Sequence, residues 1–541
     1  MRLRLALGIG LVAILWALPL AASLVAFAVT AFDLSAWSGA LHHPQLPEAL
    51  LLSLWTGTAG LALSFASAVL ITMGFYGAAM WHRVHAFAAA GLALPHLAFA
   101  IGFGFLIMPS GLLARFFVGG SEPPQWVSTQ DPLGLALIAC LALKETPFFL
   151  AMLWSILAQG DVAPMLTGHW RSALSLGHGA GSAWLRVLLP QILPRLRWPI
   201  VIVWVYGATV VDMALVIGPT QPPTLAAIVW ADLNNASAEI NARGSAGTAV
   251  LTLVLAAIAV LASLAMSRAR KRLHRFMAAG PSALVVPKTP AALLTMAMIL
   301  IYCLVLVTLA AMSLAGHWPY PQLVPETIRL AAWQNLFTNA TPAVLSLVLA
   351  LTASALALGL TVLWFELVDP RFDRVLTIAA IAGLGFPALA IGSGQYRLFL
   401  DLNLTGTPAG LFLAHFTAVF AYVFIVLKGP YRAFDPRFRA AAHGLNAGAW
   451  RFWAAVKAPL LKAPMLTAAA AGFSVSMVQF VPAQLIAAGR YSTLPMEAVT
   501  LAAGGNRPLT AAYALALAVP PALAFLLALL LGRPRWRQAW S

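Results

Sequence analysis

Three charged residues lie inside long apolar runs of this sequence, where ionisable side chains are rare. Lys144 and Glu145 occur in the stretch LALKETPFFL, and Asp212 occurs in ATVVDMALVIG. A charge in hydrocarbon is unfavourable by several kcal/mol, so such residues either pair with one another or line a wet path. Two interpretations stay open. Lys144 pairs with Asp212 between two helices, or one or more of the three residues line the path of a solute.

The neighbouring residues restrict the chemistry that these charges can do. On a helix, Lys144 and Glu145 point about 100° apart and do not share one face. Pro147 removes one helical hydrogen bond and leaves the carbonyl of Leu143 free for another partner. The apolar runs hold no cluster of His, Asp and Glu and no serine–base arrangement. We therefore expect no catalytic residues, no metal site, no cofactor and no enzymatic activity.

The composition places these charges in a membrane. The chain has 541 residues, of which 61% are hydrophobic and only 9% are charged, and a soluble protein could not bury so much apolar surface. A bilayer core requires about 20 apolar residues of helix. Twelve runs meet this requirement and predict an all-α integral membrane fold with about twelve transmembrane helices, at residues 5–31, 49–73, 86–108, 133–158, 197–218, 247–266, 291–314, 342–365, 375–398, 408–428, 464–487 and 510–532.

The basic residues predict how the chain is oriented. Of 32 Lys and Arg residues, 25 fall in alternate loops between the runs, together with the termini, and six fall on the opposite side. By the positive-inside rule, both termini lie in the cytoplasm. The net charge of +16 therefore reports topology, and no nucleic-acid partner is expected. We expect a multi-pass chain surrounded by the lipid bilayer.

An internal repeat divides the chain into two halves. The basic segment from Ser172 to Leu196 reappears from Ala441 to Met465 at a shift of 269 residues. We call them the first and second copied segments. Six spans separate equivalent positions, so the two repeats have the same orientation, as in transporters built around an axis along the membrane normal. The predicted domains are a first repeat at residues 1–266, a basic cytoplasmic linker at 267–290 and a second repeat at 291–541.

Each copied segment is expected to form two short helices at an angle on the cytoplasmic side. Gly177 and its counterpart Asn446 are the residue types that best tolerate a left-handed backbone between the two helices. Pro190 and Pro459 are expected to redirect the chain into the following span.

The two segments resemble the EAA loop of binding-protein-dependent ABC permeases, the type I importers. The first segment matches that pattern at Ala173, Gly177, Val187, Leu189 and Pro190, and the second matches it at Ala441, Ala442, Val456 and Pro459. The departures are Arg171 and Ala440 in place of the glutamate, Ser172 in place of the first alanine, Asn446 in place of the glycine and Ala458 in place of the leucine. The resemblance extends over most of both halves and is greatest to fused two-domain permeases of the iron(III) and thiamine type.

In that family the loop is a coupling helix that docks on an ATPase subunit. The lost glutamates leave open whether docking is weakened or its contacts are rearranged. The candidate ATPase-coupling residues are the matched and repeated positions Ala173, Leu176, Gly177, Gly179, Trp184, Val187, Leu189, Pro190, Ala441, Ala442, Leu445, Asn446, Gly448, Trp453, Val456 and Pro459.

The resemblance implies a transport subunit with separate partners. The chain has no G-x-x-x-x-G-K-[ST] motif, so ATP hydrolysis is expected on another polypeptide, present as two copies for two coupling loops. A solute-binding protein outside the cytoplasm is the second expected partner, and the location that the resemblance implies is the bacterial inner membrane. Twelve spans in two parallel halves also describe a secondary, ion-coupled transporter of major-facilitator-like architecture, and this is the alternative function. Neither interpretation identifies the solute.

Overall fold

The fold is entirely helical in the residues that the structure describes. The structure is a computed structural model, and it describes residues 2–118, 120–160, 162–278 and 288–532. These residues form helices and two isolated β-bridges, without a β-strand. The predicted all-α membrane class is confirmed.

The helices of the two halves follow one another in nearly the same order. The first half contains twelve, α1 to α12, at Leu5–Thr30, Leu34–Leu41, Leu46–Phe75, Trp81–Ala93, His96–Ile107, Leu112–Phe117, Leu135–Ala158, Ala163–Ser175, Ala180–Thr209, Asp212–Ile217, Leu225–Leu233 and Ala238–Ala278. The second half contains α13 to α24, at Lys288–Leu314, Ala331–Thr338, Thr341–Leu367, Asp373–Gly385, Ala388–Asp401, Pro408–Arg432, Arg437–Gly444, Ala449–Leu460, Lys462–Met477, Val481–Ala487, Leu494–Ala503 and Arg507–Gly532.

Length and hydropathy show which helices can cross a bilayer. Ten helical segments of the described chain are long and apolar enough when α5 and α6 are counted together as His96–Phe117, and two further pairs qualify together although each is bent. If each bent pair is one span, the total is twelve, as predicted from the sequence. The chain is therefore a multi-pass membrane protein.

Several predicted spans are broken into two helices. The run at 375–398 bends by 99° where Pro387 separates α16 from α17, and Pro95 separates α4 from α5 in the first half. The runs 197–218 and 464–487 are not single helices either, because α9 ends at Thr209 and α21 ends at Met477. Val210 and Val211 follow α9. Because β-branched residues have a lower helix propensity than straight-chain residues, ending the helix at this point costs little free energy.

The described chain divides into two compact units, and their residue ranges do not coincide with the two sequence repeats. The first-half unit consists of residues 33–333 and 501–514. The second-half unit consists of residues 2–32, 334–500 and 515–532. Helix α13, the first helix of the second half, thus belongs to the first-half unit, and α1 belongs to the second-half unit. The predicted domain boundaries describe repeats in the sequence, and they stay a prediction.

In the first-half unit, α13 packs against α3 and α5. Gly102 of α5 allows this approach, because a β-carbon there would lie 2.8 Å from side-chain atoms of Val305 and Leu309. The hydroxyl of Tyr302 on α13 donates a hydrogen bond of 3.1 Å to the carbonyl of Leu143. This is the carbonyl that Pro147 was predicted to leave free.

In the second-half unit, α1 packs against α15 and α17. The indole Nε1 of Trp16 donates a hydrogen bond of 2.8 Å to the carbonyl of Thr417 on α18. The Trp16 ring also contacts Phe420, which belongs to a stacked series of buried phenylalanines along α18. Gly394 of α17 lies directly against the backbone of Ser23. Gly102 lies in the stretch AIGFG (100–104) and Gly394 in the similar stretch AIGSG (390–394), and both allow close helix packing, as is common for small residues in membrane helices.

Helix α12 continues into the predicted basic linker. It ends at Ala278, so the beginning of the linker at 267–290 is helical. Residues 279–287 of that linker lie outside the described residues, as do the basic positions Arg533, Arg535 and Arg537 at the C-terminus.

Candidate functional site

Lys144 is buried in α7 and caps the C-terminal end of α4. Its Nζ donates hydrogen bonds of 2.7 Å to the carbonyl of Gly91 and 2.6 Å to that of Leu94. The ammonium group lies 5.7 Å from the ring centre of Phe99 and 5.8 Å from that of Tyr302. Carbonyls at a helix C-terminus carry partial negative charge. The break at Pro95 therefore creates the electrostatic partner of Lys144.

The pair between Lys144 and Asp212, one of the two interpretations of these charges, does not form in this structure. In the described structure no ion pair joins these side chains, and the ammonium is held by backbone carbonyls instead. The sequence could not show this, because the carbonyls of Gly91 and Leu94 become available only once the third predicted span is broken.

Glu145 pairs with a residue that the sequence analysis did not select. Its Oε1 lies 2.9 Å from Nε2 of His96, the first residue of α5. The Glu145 side chain is 8% exposed and that of His96 is 33% exposed. The His96 ring also meets the Tyr206 ring edge-on, with 5.2 Å between ring centres. The available signal was Pro95, because a proline before a polar residue inside a span predicts a break at that depth.

Asp212 begins the short helix α10, directly after the break that ends α9. A carboxylate in the first turn interacts favourably with the positive end of a helix. Helix α10 packs against both α5 and α7, which carry His96 and Glu145. The structure thus brings Glu145 and Asp212 into one polar region where two broken spans meet, and it turns Lys144 towards α4.

The second-half unit has a polar region of a different kind at its own break. His415 Nδ1 lies 2.9 Å from the hydroxyl of Ser476, and Gln479, between α21 and α22, donates a hydrogen bond of 2.9 Å to the carbonyl of His415. Gln395 donates one of 3.0 Å to the hydroxyl of Thr417. The two halves therefore offer different chemistry at their breaks. Among the described residues, no group of three or more His, Cys, Asp or Glu is arranged to hold a metal ion.

The two copied segments have the predicted backbone. Gly177 has φ of 88° and Asn446 has φ of 54°, so both adopt the left-handed conformation between two helices. The leucine before each of them is largely exposed, Leu176 by 71% and Leu445 by 84%. Each segment thus presents an apolar side chain at the tip of a sharp turn.

The prolines act differently from the prediction. A π-turn precedes each of them, at Trp184–Leu188 and at Trp453–Lys457. In the first half α9 continues through Pro190, because the π-turn accommodates the missing N–H of that residue. In the second half, α20 and α21 are bent by 74° just after Pro459. The predicted change of direction therefore occurs only in the second segment.

The remaining candidate residues of the copied segments differ in exposure. Ala173 and Trp184 are buried in the first segment. The positions that are exposed, in addition to the two leucines, are Gly177, Ala441, Asn446, Gly448 and Pro459. The positions that are half-buried are Gly179, Val187, Leu189, Pro190, Ala442, Trp453 and Val456. The candidate residues of the first copied segment are therefore more buried than those of the second.

Comparison with known proteins shows what this architecture resembles. No protein-family model matches the chain. Over 529 residues it is 28% identical to the inner membrane ABC transporter permease protein YnjC of Escherichia coli K12, and the match covers 97% of this chain and 96% of the relative. The chain resembles an ABC transporter permease. The resemblance predicted from the copied segments is therefore confirmed.

The similarity to an ABC transporter permease includes both halves of the chain. A match over 97% of the residues cannot omit either copied segment or either group of broken spans. The permease resemblance therefore applies to the whole chain, and nothing in the comparison supports the ion-coupled alternative.

Proposed function

We propose that this chain is the membrane-spanning subunit of an ABC importer in the bacterial inner membrane. In this proposal the chain forms the solute path. Transport is driven by ATP hydrolysis on a separate ATPase, which is present as two copies. An extracytoplasmic solute-binding protein delivers the solute, and both termini lie in the cytoplasm. ATP hydrolysis takes place on the ATPase chain.

The observation that carries the proposal is the duplicated tip of the copied segments. Leu176 and Leu445 occupy equivalent positions, each directly before a left-handed residue. Each exposed leucine is available for contact with an apolar surface of a partner. Two such tips, related by an internal repeat, fit two copies of one partner.

The solute path is proposed to pass the broken spans. Irregular backbone at membrane depth is tolerated where it is buried in protein or lines a cavity. In the first-half unit His96, Glu145 and Asp212 offer ionisable groups at the breaks. In the second-half unit His415 and Gln479 offer polar groups without a carboxylate. A path of this kind is suited to a solute without two-fold symmetry.

The docking role is tested with Leu176→Glu, Leu445→Glu and the double variant in native membranes. The charged side chain is expected to abolish co-purification of an ATPase subunit in the double variant and to leave membrane insertion unchanged. Gly160→Glu is the control, because Gly160 is exposed, lies outside both copied segments, and a β-carbon added there would have no neighbouring atom within 4 Å. Normal ATPase capture by the double variant would refute the docking role.

A further inference from the structure

The second copied segment contacts the membrane helices in a cluster centred on one carboxylate. Glu366 lies in the last turn of α15, and its Oε1 accepts hydrogen bonds of 2.6 Å from Lys457 and 2.7 Å from the hydroxyl of Tyr431. Nη2 of Arg439 lies 3.5 Å from its Oε2. Arg439 belongs to α19 and Lys457 to α20. Both short helices of the segment therefore contact the same side chain.

Aromatic groups complete this cluster. The indole of Trp453 donates a hydrogen bond of 3.0 Å to the Tyr431 hydroxyl, and Nζ of Lys457 lies 4.2 Å from the centre of the Tyr431 ring. A carboxylate at a helix C-terminus is unfavourable next to the negative end of the helix. Glu366 is therefore stabilised by the segment that it holds.

The first half provides a matched comparison because the two halves can be aligned residue by residue. The amide N–H of Leu225 donates to Ser53, and that of Leu494 donates to Ser346, each across 2.9 Å. Ser53 of α3 and Ser346 of α15 thus occupy equivalent positions. The same alignment of α3 with α15 places Met73 opposite Glu366.

Every charged or hydroxyl-bearing member of the cluster has an apolar counterpart in the first half. At the shift of 269 residues, the counterparts of Lys457, Tyr431 and Arg439 are the following residues: Leu188, Val162 and Trp170. Together with Met73 and Trp184 they pack in one hydrophobic core of the first-half unit. The tryptophan is common to both halves, but the buried Nε1 of Trp184 has no hydrogen-bond partner in the described structure.

The contact between a copied segment and the membrane helices is thus apolar in the first half and charged in the second. We propose that Glu366 is a positioning residue that holds the second copied segment through Lys457 and Tyr431, so that this segment alone is released when the carboxylate is neutralised. The consequence for ATP-coupled transport rests on the proposed function, whereas the attachment itself does not.

Spin labels test the attachment in the purified full-length chain, without an ATPase. Nitroxides are attached at Leu445→Cys or Leu176→Cys in a Cys303→Ser background, since Cys303 is exposed and Cys140 is buried. Glu366→Gln and Lys457→Met are expected to increase the mobile fraction at position 445 about fivefold, the effect of roughly 1 kcal/mol. The label at position 176 is expected to stay unchanged.

The exchange Glu366→Lys with Lys457→Glu distinguishes a direct pair from general damage, because it restores opposite charges and is expected to return the mobility at position 445 towards that of the parent. Asp369→Asn is the matched control, since it removes an exposed carboxylate three residues away.

An unchanged label at position 445 in Glu366→Gln, or equal loosening at both positions, would overturn the proposal. Because these measurements contain no ATPase, a failure of the docking role would leave them as expected. The proposed function and the proposed attachment are therefore tested separately.

Discussion

Tyr302 hydrogen-bonds the carbonyl of Leu143, which the ring of Pro147 deprives of its helical partner. Tyr302→Phe is expected to lower the free energy of unfolding by about 0.6 kcal/mol, the average for hydrogen bonds between membrane helices. Thermal unfolding in detergent measures this. Tyr396→Phe is the control, because the Tyr396 hydroxyl makes no hydrogen bond in the described part of the structure. An equal effect of both substitutions would show that the bond to Leu143 contributes nothing specific.

Lys144→Met is expected to destabilise the protein by about 1–3 kcal/mol, because it leaves the buried carbonyls of Gly91 and Leu94 without a donor. Adding Asp212→Asn should give no recovery, since the two side chains are not paired. The exposed Lys462→Met serves as control. Recovery of parental stability in the double variant would restore the ion pair that the structure excludes.

His96→Phe is expected to destabilise by about 3–5 kcal/mol, because it strands the Glu145 carboxylate in a nearly buried position. The double variant His96→Phe with Glu145→Leu should regain most of this loss. The exposed pair Arg397–Asp401 provides the comparison, and Arg397→Ala should change stability by less than about 1 kcal/mol. A double-mutant cycle on purified protein measures the coupling, and additive effects at His96 and Glu145 would contradict it.

Gly177→Val is expected to be unfavourable by about 1–2 kcal/mol because its φ is left-handed. Asn446→Val should behave alike, whereas Gly177→Asn and Asn446→Gly should be tolerated. Insertion should survive in all four variants, and ATPase capture should fall only in the valine variants. The measurements are membrane level and co-purification of the ATPase. If the valine variants capture ATPase normally, the turns have no part in docking.

Reporter fusions test the proposed orientation. A fusion at Ala236 should report the outer side, and one at Gly280, outside the described residues, should report the cytoplasm. The physical reason is the uneven distribution of basic residues between the two sides. A cytoplasmic signal at Ala236 would reverse the topology and with it the placement of both copied segments.

Sequence patterns predicted the features that depend on local chemistry. Apolar runs indicated the spans, and the equivalence of Gly177 with Asn446 indicated two left-handed turns. The patterns failed where a side chain finds its partner through a break in the backbone. Lys144 contacts carbonyls that an unbroken helix would have kept for itself, and Glu145 contacts a histidine 49 residues earlier in the chain. The Glu366 cluster was missed because its members are ordinary charged residues near span ends, and only the alignment of two folded halves shows that they replace an apolar core.

The membership of α1 in the second-half unit has a consequence for biosynthesis. This helix leaves the ribosome long before its partner, because the carbonyl that accepts the Trp16 hydrogen bond lies 401 residues later in the chain. Lipid tails are as apolar as the side chains of this helix. The helix therefore has no hydrophobic driving force to aggregate while it is in the bilayer without its native neighbours. Early chain synthesis therefore produces an inserted helix without its native neighbours, and assembly of the second-half unit is completed only after most of the protein has been translated.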